Sequence, residues 1–250
     1  MTTMTLDGKV ALVTGASRGI GAAIASRLAA DGAAVAITYG KDAEGARAVV
    51  AEIEAQGSKA IAIEADSGNA EAVQRAVALT IDRLGPIDIL VNNAGILVPG
   101  LVEDYQLEDF DRMIAVNVRA AFVAIQAAVP HMKAGGRIIN IGSNTAHRSN
   151  SPGSSVYAMT KSAIGGLTRG LAHELGPKGI TINSVDPGPT RTVMSRGARE
   201  GALGDKIRGM IAVGRVGEPE EVAAMVSYIA GPDTGYVTGA RLVIDGGMST

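Results

Sequence analysis

The strongest constraint on the fold of this chain is the alternation of short apolar runs with longer segments of helical periodicity, from residue 9 almost to the end. Uninterrupted apolar runs are typical of parallel strands, because helices cover both faces of a parallel sheet. The sequence therefore predicts an α/β fold with one doubly wound, parallel, seven-stranded sheet. We expect the strands at Val10–Thr14, Ala34–Tyr39, Ala60–Glu64, Ile87–Asn92, Arg137–Ile141, Ile180–Val185 and Leu242–Ile244.

The segments between the strands have the apolar spacing of helices, and Gly57, Gly85 and Gly176 are predicted to end three of them. No linker-like tract or repeat divides the chain, so residues 1–250 are expected to form one domain. The polar, glycine-containing segment Thr190–Arg215 is interpreted as a substrate lid over a cleft. The predicted helices are Ile20–Ala30, Ala43–Gln56, Ala70–Leu84, Phe110–His131, Val156–Leu175 and Pro219–Ile229.

The composition excludes several classes of function. The net charge of −2 over 250 residues gives no field that would gather nucleic acid or an acidic membrane surface. The sequence contains no Cys, which excludes a disulfide scaffold, a thiolate zinc site, an iron–sulfur cluster and a cysteine nucleophile. The three histidines lack metal-ligand spacing, so no metal site is expected. With no secretory leader pattern and no long apolar window, the sequence predicts a cytoplasmic protein that binds neither nucleic acid nor membrane.

A glycine-rich turn, Gly15-Ala-Ser-Arg-Gly19-Ile-Gly21, connects the first predicted strand to the first helix. Glycines let the backbone approach a pyrophosphate, and the N–H groups at the helix start supply donors and partial positive charge. The alternative is a tight strand-to-helix turn without a ligand. No Gly-Lys-Ser/Thr follows, so the lysine and hydroxyl of a nucleoside triphosphate hydrolase are missing.

The end of the second predicted strand bears on the choice of dinucleotide. An acidic residue at this point would bind the adenosine 2′-hydroxyl, but the strand ends with Tyr39 and no carboxylate. Lys41 lies just beyond it, and Arg18 belongs to the glycine turn. Two cations favour a 2′-phosphate and hence NADP over NAD. Alternatively, both are solvated surface charges, one of them neutralised by Asp42.

Tyr157 and Lys161 are four residues apart in a predicted helix, so their side chains share one face. Ser143 follows the fifth predicted strand, at the end where open α/β sheets bind ligands. A phenol, an ammonium and a hydroxyl suit proton donation to a carbonyl oxygen while hydride reaches its carbon. The ammonium is expected to lower the pKa of Tyr157 from about 10. Taken alone, Tyr157 and Lys161 are also compatible with two solvent-exposed side chains that have no catalytic role.

Five motifs occur in the order and spacing of one known family. They are Thr14-Gly15-x-x-x-Gly19-x-Gly21, Asn92-Asn93-Ala94-Gly95, Ser143, Tyr157-x-x-x-Lys161 and Asp186-Pro187-Gly188. From Lys9 to Gly247 the chain resembles the short-chain dehydrogenase/reductase superfamily, and its nearest general likeness is the 3-oxoacyl-thioester reductase branch.

The resemblance implies a Rossmann-type sheet ordered 3-2-1-4-5-6-7, a nicotinamide cofactor and a catalytic tetrad. Tyr157 would be the general acid/base, and Lys161 would lower its pKa and hold the nicotinamide ribose. Ser143 would position the carbonyl, and Asn117 would anchor a water in the proton relay.

By the same resemblance, Asp66 would contact the adenine amino group and Pro187 and Gly188 would flank the nicotinamide. The resemblance also implies a homodimer or homotetramer. With the glycine turn and the two cations, the expected cofactor site comprises Gly15, Ser17, Arg18, Gly19, Ile20, Gly21, Tyr39, Lys41, Asp66, Asn93, Ala94, Gly95, Tyr157, Lys161, Pro187, Gly188 and Thr190, with Thr192 as a further candidate.

The expected function is an NADPH-dependent reductase that transfers hydride to a ketone and gives a secondary alcohol, reversibly. Two alternatives remain: a NAD-linked dehydrogenase of a sugar, polyol or steroid alcohol, and a noncatalytic NADP(H)-binding sensor. Arg196 and Arg199 in the lid would meet an acidic carrier protein, or they are solvated surface charges. Structural or surface roles are the favoured interpretation of the three histidines, with the wall of a substrate pocket as the alternative for His147, which follows the serine.

Overall fold

The computed structural model describes residues 5–149, 152–195 and 201–250. Its centre is one parallel sheet of seven strands in the order β3-β2-β1-β4-β5-β6-β7, which confirms the predicted α/β fold and strand order. The strands are β1 Val10–Val13, β2 Ala34–Tyr39, β3 Ala60–Glu64, β4 Ile89–Asn92, β5 Arg137–Ile141, β6 Thr181–Pro187 and β7 Arg241–Ile244.

Helices cover both faces of the sheet. They are α1 Gly19–Ala30, α2 Ala43–Ala55, α3 Ala70–Leu84, α4 Leu107–Ile114, α5 Ala120–Ala128, α6 Ser155–Leu175, α7 Gly201–Gly209 and α8 Pro219–Ala230. On one face, α1, α2 and α8 contribute buried residues such as Leu28, Ile53 and Val226. On the other, α3, α5 and α6 contribute residues such as Val77 and Leu175. The core is therefore two apolar layers separated by the sheet.

The long helical segment after β4 differs from its prediction. It begins at Leu107 rather than Phe110, and a π-helical turn, Ala115–Arg119, separates α4 from α5. By length and composition Leu107–His131 is apolar enough to cross a membrane, with a mean hydropathy of 1.6. However, 56% of its most apolar window is buried inside the fold, as expected for a core helix that packs on the sheet.

All three predicted glycine stops are confirmed, because α2, α3 and α6 end one or two residues before these glycines. Gly57 and Gly85 follow helices with φ of +87° and +106°, which favour glycine. Gly176 has helical angles and begins a 3₁₀ turn that contains Pro177. The left-handed residue is Gly179, with φ of +71°. The left-handed turn that leads into β6 therefore lies three residues beyond Gly176.

Candidate active site

The carboxyl ends of β1, β4, β5 and β6 meet at one edge of the sheet. The chain builds the sheet outward from β1 to β3 and then, on the other side of β1, from β4 to β7. Open α/β sheets bind ligands at such a change of direction. The side chains that follow these four strand ends are therefore the natural candidates for a site.

The turn after β1 has the shape of a phosphate cradle. Gly15 and Gly19 have φ of +63° and +60°. A Cβ on Gly15 would lie 2.8 Å from the Ala94 Cα, and one on Gly21 would lie 2.7 Å from the Gly15 carbonyl oxygen. No described side chain caps the N-terminus of α1, so its first N–H groups can bind an anion. The turn therefore fits the pyrophosphate of a dinucleotide.

Asn93 holds this turn from the end of β4. Its Nδ2 donates to the carbonyl oxygens of Thr14 and Gly15, both at 2.9 Å. The Thr14 hydroxyl oxygen accepts from the N–H groups of Asn93 and Ala94 at 3.0 and 3.1 Å. The predicted segment Asn93–Gly95 thus lies beside the glycine turn, and Asn93 supports the backbone of that turn.

The two expected cations lie where the cradle approaches the end of β2. Arg18 Nη1 is 3.8 Å from Asp42 Oδ2, and the Arg18 side chain is 65% exposed. The other oxygen of Asp42, Oδ1, accepts from the Gly45 N–H and caps α2. Asp42 therefore pairs with Arg18 loosely, while Lys41 is exposed beside it. The remaining predicted residues of this end lie in the turn and at the end of β2: Ser17, Ile20 and Tyr39.

Asp66 follows β3 and faces a partner that the sequence did not predict. Both of its carboxylate oxygens accept from Arg112 of α4, at 2.7 and 3.1 Å. This hydrogen bonding lowers the pKa of Asp66 from its usual value and outweighs the opposing effect of burial. The carboxylate is therefore ionised and held in a fixed orientation.

Ser143 and Tyr157 come together at the end of β5 and the start of α6. The Ser143 hydroxyl oxygen accepts from the Thr145 N–H at 3.2 Å and from the Thr145 hydroxyl at 2.8 Å. Tyr157 is hydrogen-bonded to Ser143, which lowers the Tyr157 pKa, but burial has the larger effect and raises it to about 12. The expected lowering of the Tyr157 pKa is thus wrong for this structure, because desolvation of the phenolate dominates.

Lys161 lies one helical turn from Tyr157, with Nζ 5.8 Å from the centre of the tyrosine ring. The ammonium donates to the Ile141 carbonyl oxygen at 2.8 Å. Burial lowers the pKa of Lys161 to about 8, and the charge of Asp186 opposes this shift. The structure therefore brings Ser143, Tyr157 and Lys161 together, as the motif spacing predicts.

Asn117 belongs to the π-helical turn between α4 and α5. Its Oδ1 accepts from the Ile96 N–H at 2.8 Å, and its Nδ2 donates to the Ile96 carbonyl oxygen and to Thr160 at 2.9 and 3.1 Å. A Cβ on Gly95 would lie 3.4 Å from Lys161 Nζ and 3.5 Å from Asn117 Oδ1. Asn117 therefore reaches the same cluster and fixes the loop after β4.

The chain matches known proteins over nearly its whole length. Residues 15–249 match the family model described as enoyl-(acyl carrier protein) reductase. A short-chain dehydrogenase from Burkholderia cenocepacia, solved in complex with NADP, is 52% identical with a TM-score of 0.96, covering 98% of this chain and 100% of that one. The chain belongs to the short-chain dehydrogenase/reductase superfamily.

Two curated relatives show the range of activities within this similarity. A 3-oxoacyl-[acyl-carrier-protein] reductase from Synechocystis is 41% identical over 97% of this chain and 98% of its own. A cyclic-di-GMP-binding biofilm dispersal mediator protein from Escherichia coli is 42% identical over 96% of each chain.

This short-chain dehydrogenase/reductase has a buried polar cluster behind Ser143 that the sequence did not predict. The fully buried Asp186 of β6 accepts from Ser184 at 2.5 Å and from Arg241 Nε at 2.9 Å, and its Oδ2 lies 2.7 Å from His147 Nε2. A Cβ on Gly142 would overlap Asp186 Oδ1. The sequence indicated two members of this cluster separately, Asp186 as part of a motif and His147 as a residue close to the serine, but not their contact.

His147 contacts Asp186 while 31% of its side chain stays exposed. The sequence allowed a place in the wall of a substrate pocket, and the structure adds an interaction with the carboxylate behind the serine. In the part of the chain that the structure describes, no three His, Asp or Glu side chains gather as a metal site requires.

The residues at the end of β6 and directly after it lie close to Asp245 and to the glycine turn. Pro187 ends β6, and a Cβ on Gly188 would lie 2.7 Å from the Asp245 Cα. Thr190 forms a bridge with Gly217, so the two ends of the predicted lid are paired. A Cβ on Gly19 would lie 3.3 Å from a Thr192 side-chain carbon, which brings Thr192 to the glycine turn.

The interior of the lid segment contains a helix that was not predicted, α7. Its last turn carries Lys206 and Arg208, and Arg208 pairs with Asp205. Arg196 and Arg199, which the sequence offers as candidates for contact with an acidic carrier protein, lie outside the described residues.

Proposed function

We propose that the chain is an NADPH-dependent reductase that transfers a hydride to a ketone and gives a secondary alcohol, in a reversible reaction. One observation carries this proposal: Tyr157 is hydrogen-bonded to Ser143, with Lys161 one turn away, at the sheet edge that also holds the glycine cradle. A pure binding module has no evident use for that arrangement.

The nicotinamide supplies the hydride when it is bound. Ser143 and Tyr157 present two hydroxyl groups to one carbonyl oxygen, and hydrogen bonds to that oxygen stabilise the negative charge that develops on it. Tyr157 then donates its proton. A phenol with a pKa of about 12 stays protonated at neutral pH, so it is a competent acid for the reductive direction.

Lys161 and Asn117 assist this proton transfer without contacting the carbonyl group. The Lys161 ammonium favours the phenolate left on Tyr157 after proton donation. The ammonium donates a hydrogen bond to the carbonyl oxygen of Ile141, which lies two residues before Ser143, and this bond holds Lys161 at the site. Asn117 holds the Ile96 backbone, and the proposal gives it the role of anchoring the water that returns the proton to Tyr157.

NADP(H) is the proposed cofactor. In support, Arg18 and Lys41 lie at the adenosine end, Tyr39 ends β2 without a carboxylate, and the similar Burkholderia enzyme was solved with NADP. Asp42 pairs with Arg18 at 3.8 Å only, which leaves the guanidinium able to reach a phosphate. A cofactor comparison tests this: NADPH should give the higher kcat/KM, and a preference for NADH would support the NAD-linked alternative.

Turnover of a ketone panel tests the reaction itself. Loss of the near-ultraviolet absorbance of NADPH is followed with acyl thioesters, diketones, sugars and steroids. We expect oxidation of NADPH with at least one ketone and restoration of absorbance when the product alcohol is offered with NADP⁺. The similarity to a 3-oxoacyl-[acyl-carrier-protein] reductase supports including carrier-bound thioesters.

A noncatalytic nucleotide-binding sensor is the second candidate, and the likeness to a cyclic-di-GMP-binding mediator protein favours it. Tight NADPH binding without oxidation of NADPH by any ketone would support the sensor and contradict the reductase.

Two structural roles complete the proposal. Residues 190–215 form a substrate lid, supported by the pairing of Thr190 with Gly217 at its base. The chain assembles into a homodimer or homotetramer, supported by large apolar side chains left exposed on β7 and around α8, among them Tyr228, Tyr236 and Val243.

A further inference from the structure

Asp186 is a fully buried carboxylate on β6, behind the loop that carries Ser143. Burial of a charge is costly unless the charge is paired and hydrogen-bonded. Here Oδ1 accepts from the Ser184 hydroxyl at 2.5 Å, and Oδ2 accepts from Arg241 Nε at 2.9 Å. His147 Nε2 lies 2.7 Å from Oδ2. Asp186 therefore holds partners from its own strand, from β7 and from the turn after β5.

The same carboxylate contacts both ends of the serine loop, residues 142–147. At one end, a Cβ on Gly142 would overlap Asp186 Oδ1, so glycine at this position leaves room for the carboxylate. At the other end, His147 is anchored through its ring. Between these ends, the Ser143 hydroxyl oxygen accepts two hydrogen bonds from within the loop itself. The position of Ser143 therefore depends on where the two ends of the loop are fixed.

His147 is the member of this cluster that can be replaced without opening a cavity in the core, since 31% of its side chain is exposed. A carboxylate only accepts hydrogen bonds, so Nε2 carries a hydrogen that it donates to Asp186. The His147 N–H donates to the Asn144 carbonyl oxygen at 2.9 Å and ends the 3₁₀ turn directly after the serine. The backbone and the ring of His147 therefore join the serine loop to the buried carboxylate.

Asp186 also lies close to Lys161. The Lys161 ammonium donates to the Ile141 carbonyl oxygen at 2.8 Å, and Ile141 pairs with Val185 in the sheet. The two charged residues therefore meet neighbouring positions of β5 and β6. Burial has the larger effect and lowers the pKa of Lys161 to about 8, and the negative charge of Asp186 opposes this effect. The other charged or titratable groups packed around the two residues are Tyr157 on α6, His147 in the serine loop and Arg241 on β7.

We propose that Asp186 is a positioning residue for the serine and the lysine of the site: it holds the serine loop through His147, and its charge keeps Lys161 in the ammonium form. The inference rests on the proposed reductase function and adds two residues to the four of that proposal. Stability alone does not require this arrangement, because apolar side chains of similar size often replace a buried ion pair without loss. The contacts with the serine loop give the carboxylate a role in the reaction.

Two substitutions of His147 test the anchoring of the serine loop. His147→Leu removes the hydrogen bond to Asp186, whereas the amide of His147→Gln can still donate one. We expect His147→Leu to lower kcat for ketone reduction by about tenfold or more, as displacement of a catalytic group does, while the dissociation constant of NADPH changes by less than about twofold. His147→Gln should recover most of this loss. His173→Leu is the matched control, since His173 is exposed on α6, and it should leave kcat unchanged.

Steady-state kinetics and fluorescence titration with NADPH measure these quantities, and urea unfolding shows that each variant is folded. If kcat in His147→Leu equals that of the intact protein, the anchoring role is overturned. An equal loss of kcat in His147→Leu and His147→Gln would overturn it as well, because the hydrogen bond would then make no difference.

Neutral replacement of the buried ion pair tests the charge of Asp186. Asp186→Asn together with Arg241→Met removes both charges, which costs less stability than breaking the pair, and the new amide oxygen can still accept from His147. The fall of kcat/KM expected near pH 8 should move toward lower pH by about half a unit or more, because Lys161 loses the charge that favours its ammonium. Asp186→Asn alone retains the Arg241 cation and should move the fall further in the same direction.

The matched control removes an exposed pair of opposite charges on α3. Glu71→Gln with Arg75→Met should leave the fall of kcat/KM at the pH of the intact protein. If the fall also stays at that pH in the protein with Asp186→Asn and Arg241→Met, the electrostatic role of Asp186 is overturned. Failure of the intact protein to oxidise NADPH with any ketone would instead overturn the proposed function.

Discussion

The ammonium of Lys161 donates a hydrogen bond to the backbone carbonyl of Ile141, 2.8 Å away. Because Ile141 ends β5 and precedes Ser143 by two residues, this bond holds α6, which carries the tyrosine, against the strand that leads to the serine. Asn140 strengthens the same connection, since it accepts from Asn92 of β4 and donates to Thr168 of α6. The geometry of the candidate catalytic groups therefore rests on buried polar contacts between the central strands and one helix.

The burial of Lys161 predicts the pH dependence of the reaction. Its pKa is lowered from 10.5 to about 8, so the ammonium is present below that pH and is lost above it. We expect kcat/KM for ketone reduction to be level below about pH 8 and to fall as pH rises through it, as the charge is lost. Lys161→Arg keeps a permanent cation and should move the fall toward the Tyr157 pKa of about 12. The same fall in both proteins would contradict the assignment.

The same lysine also affects stability. A lowered lysine pKa means that the unfolded chain binds more protons between pH 8 and 10.5, so the free energy of unfolding increases with pH across that window. We expect Lys161→Met to reduce this increase, which amounts to roughly 3 kcal/mol for a single buried lysine shifted by this much. Urea unfolding at pH 7.5 and 9.5 covers part of this window and should show roughly 2 kcal/mol of the increase, and equal increases in the two proteins would refute the prediction.

Removal of the Tyr157 hydroxyl tests the proton donor. Tyr157→Phe should retain NADPH affinity while kcat falls by about 10² or more, because a general acid is lost. Tyr236→Phe is the control, since that hydroxyl is fully exposed. Steady-state kinetics and fluorescence titration measure both quantities. Near-normal turnover in Tyr157→Phe would show that another group donates the proton.

The glycine cradle is tested by adding one methyl group. Gly21→Ala places a Cβ against Asn93 and the Gly15 carbonyl, so it should weaken NADPH binding and lower the unfolding midpoint. Gly170→Ala, in α6 with no described atom within 4 Å of the added Cβ, should leave affinity unchanged and stabilise by about 0.5–1 kcal/mol. Equal effects of the two changes on affinity would argue against a close approach of the dinucleotide to Gly21.

Because Asp186 is buried, we expect replacement of its partner Arg241 to lower the free energy of unfolding strongly. Arg241→Met leaves that carboxylate without its guanidinium, and breaking a buried pair costs about 3–5 kcal/mol. Arg215→Met is the control: it removes an exposed ion pair with Glu221 and should leave the urea midpoint unchanged. If Arg241→Met unfolds at the same urea concentration as the intact protein, the pair does not support the serine loop.

Assembly is tested by light scattering on the eluted protein. We expect the mass of a dimer or tetramer, because Tyr228, Tyr236 and Val243 leave apolar surface exposed on the single chain. Val243→Lys on the edge strand should shift the population toward smaller species. A monomer at all concentrations would contradict the expectation.

The sequence predicted the strands and the convergence of Ser143, Tyr157 and Lys161, because buried strands and motif spacing leave local signals, while the strand order came from the family resemblance. It did not predict the π-helical turn, since the helix that follows is almost wholly apolar and hides the shift in periodicity that an extra residue causes. It missed the Asp186 cluster and the pairing of Asp66 with Arg112, because their partners come from separate elements. The pKa of Tyr157 was predicted in the wrong direction, since desolvation depends on the packed structure and not on the neighbouring motif residue.

The support of the glycine turn by Asn93 also constrains the order of folding. The two hydrogen bonds from Asn93 to Thr14 and Gly15 connect positions 79 and 78 residues apart, and both require β4 to have joined β1. A nascent chain that ends after β3 therefore contains the glycine turn but lacks the two hydrogen bonds from Asn93 that support it. During synthesis, we therefore expect the growing chain to bind the dinucleotide only after β4 has left the ribosome and paired with β1.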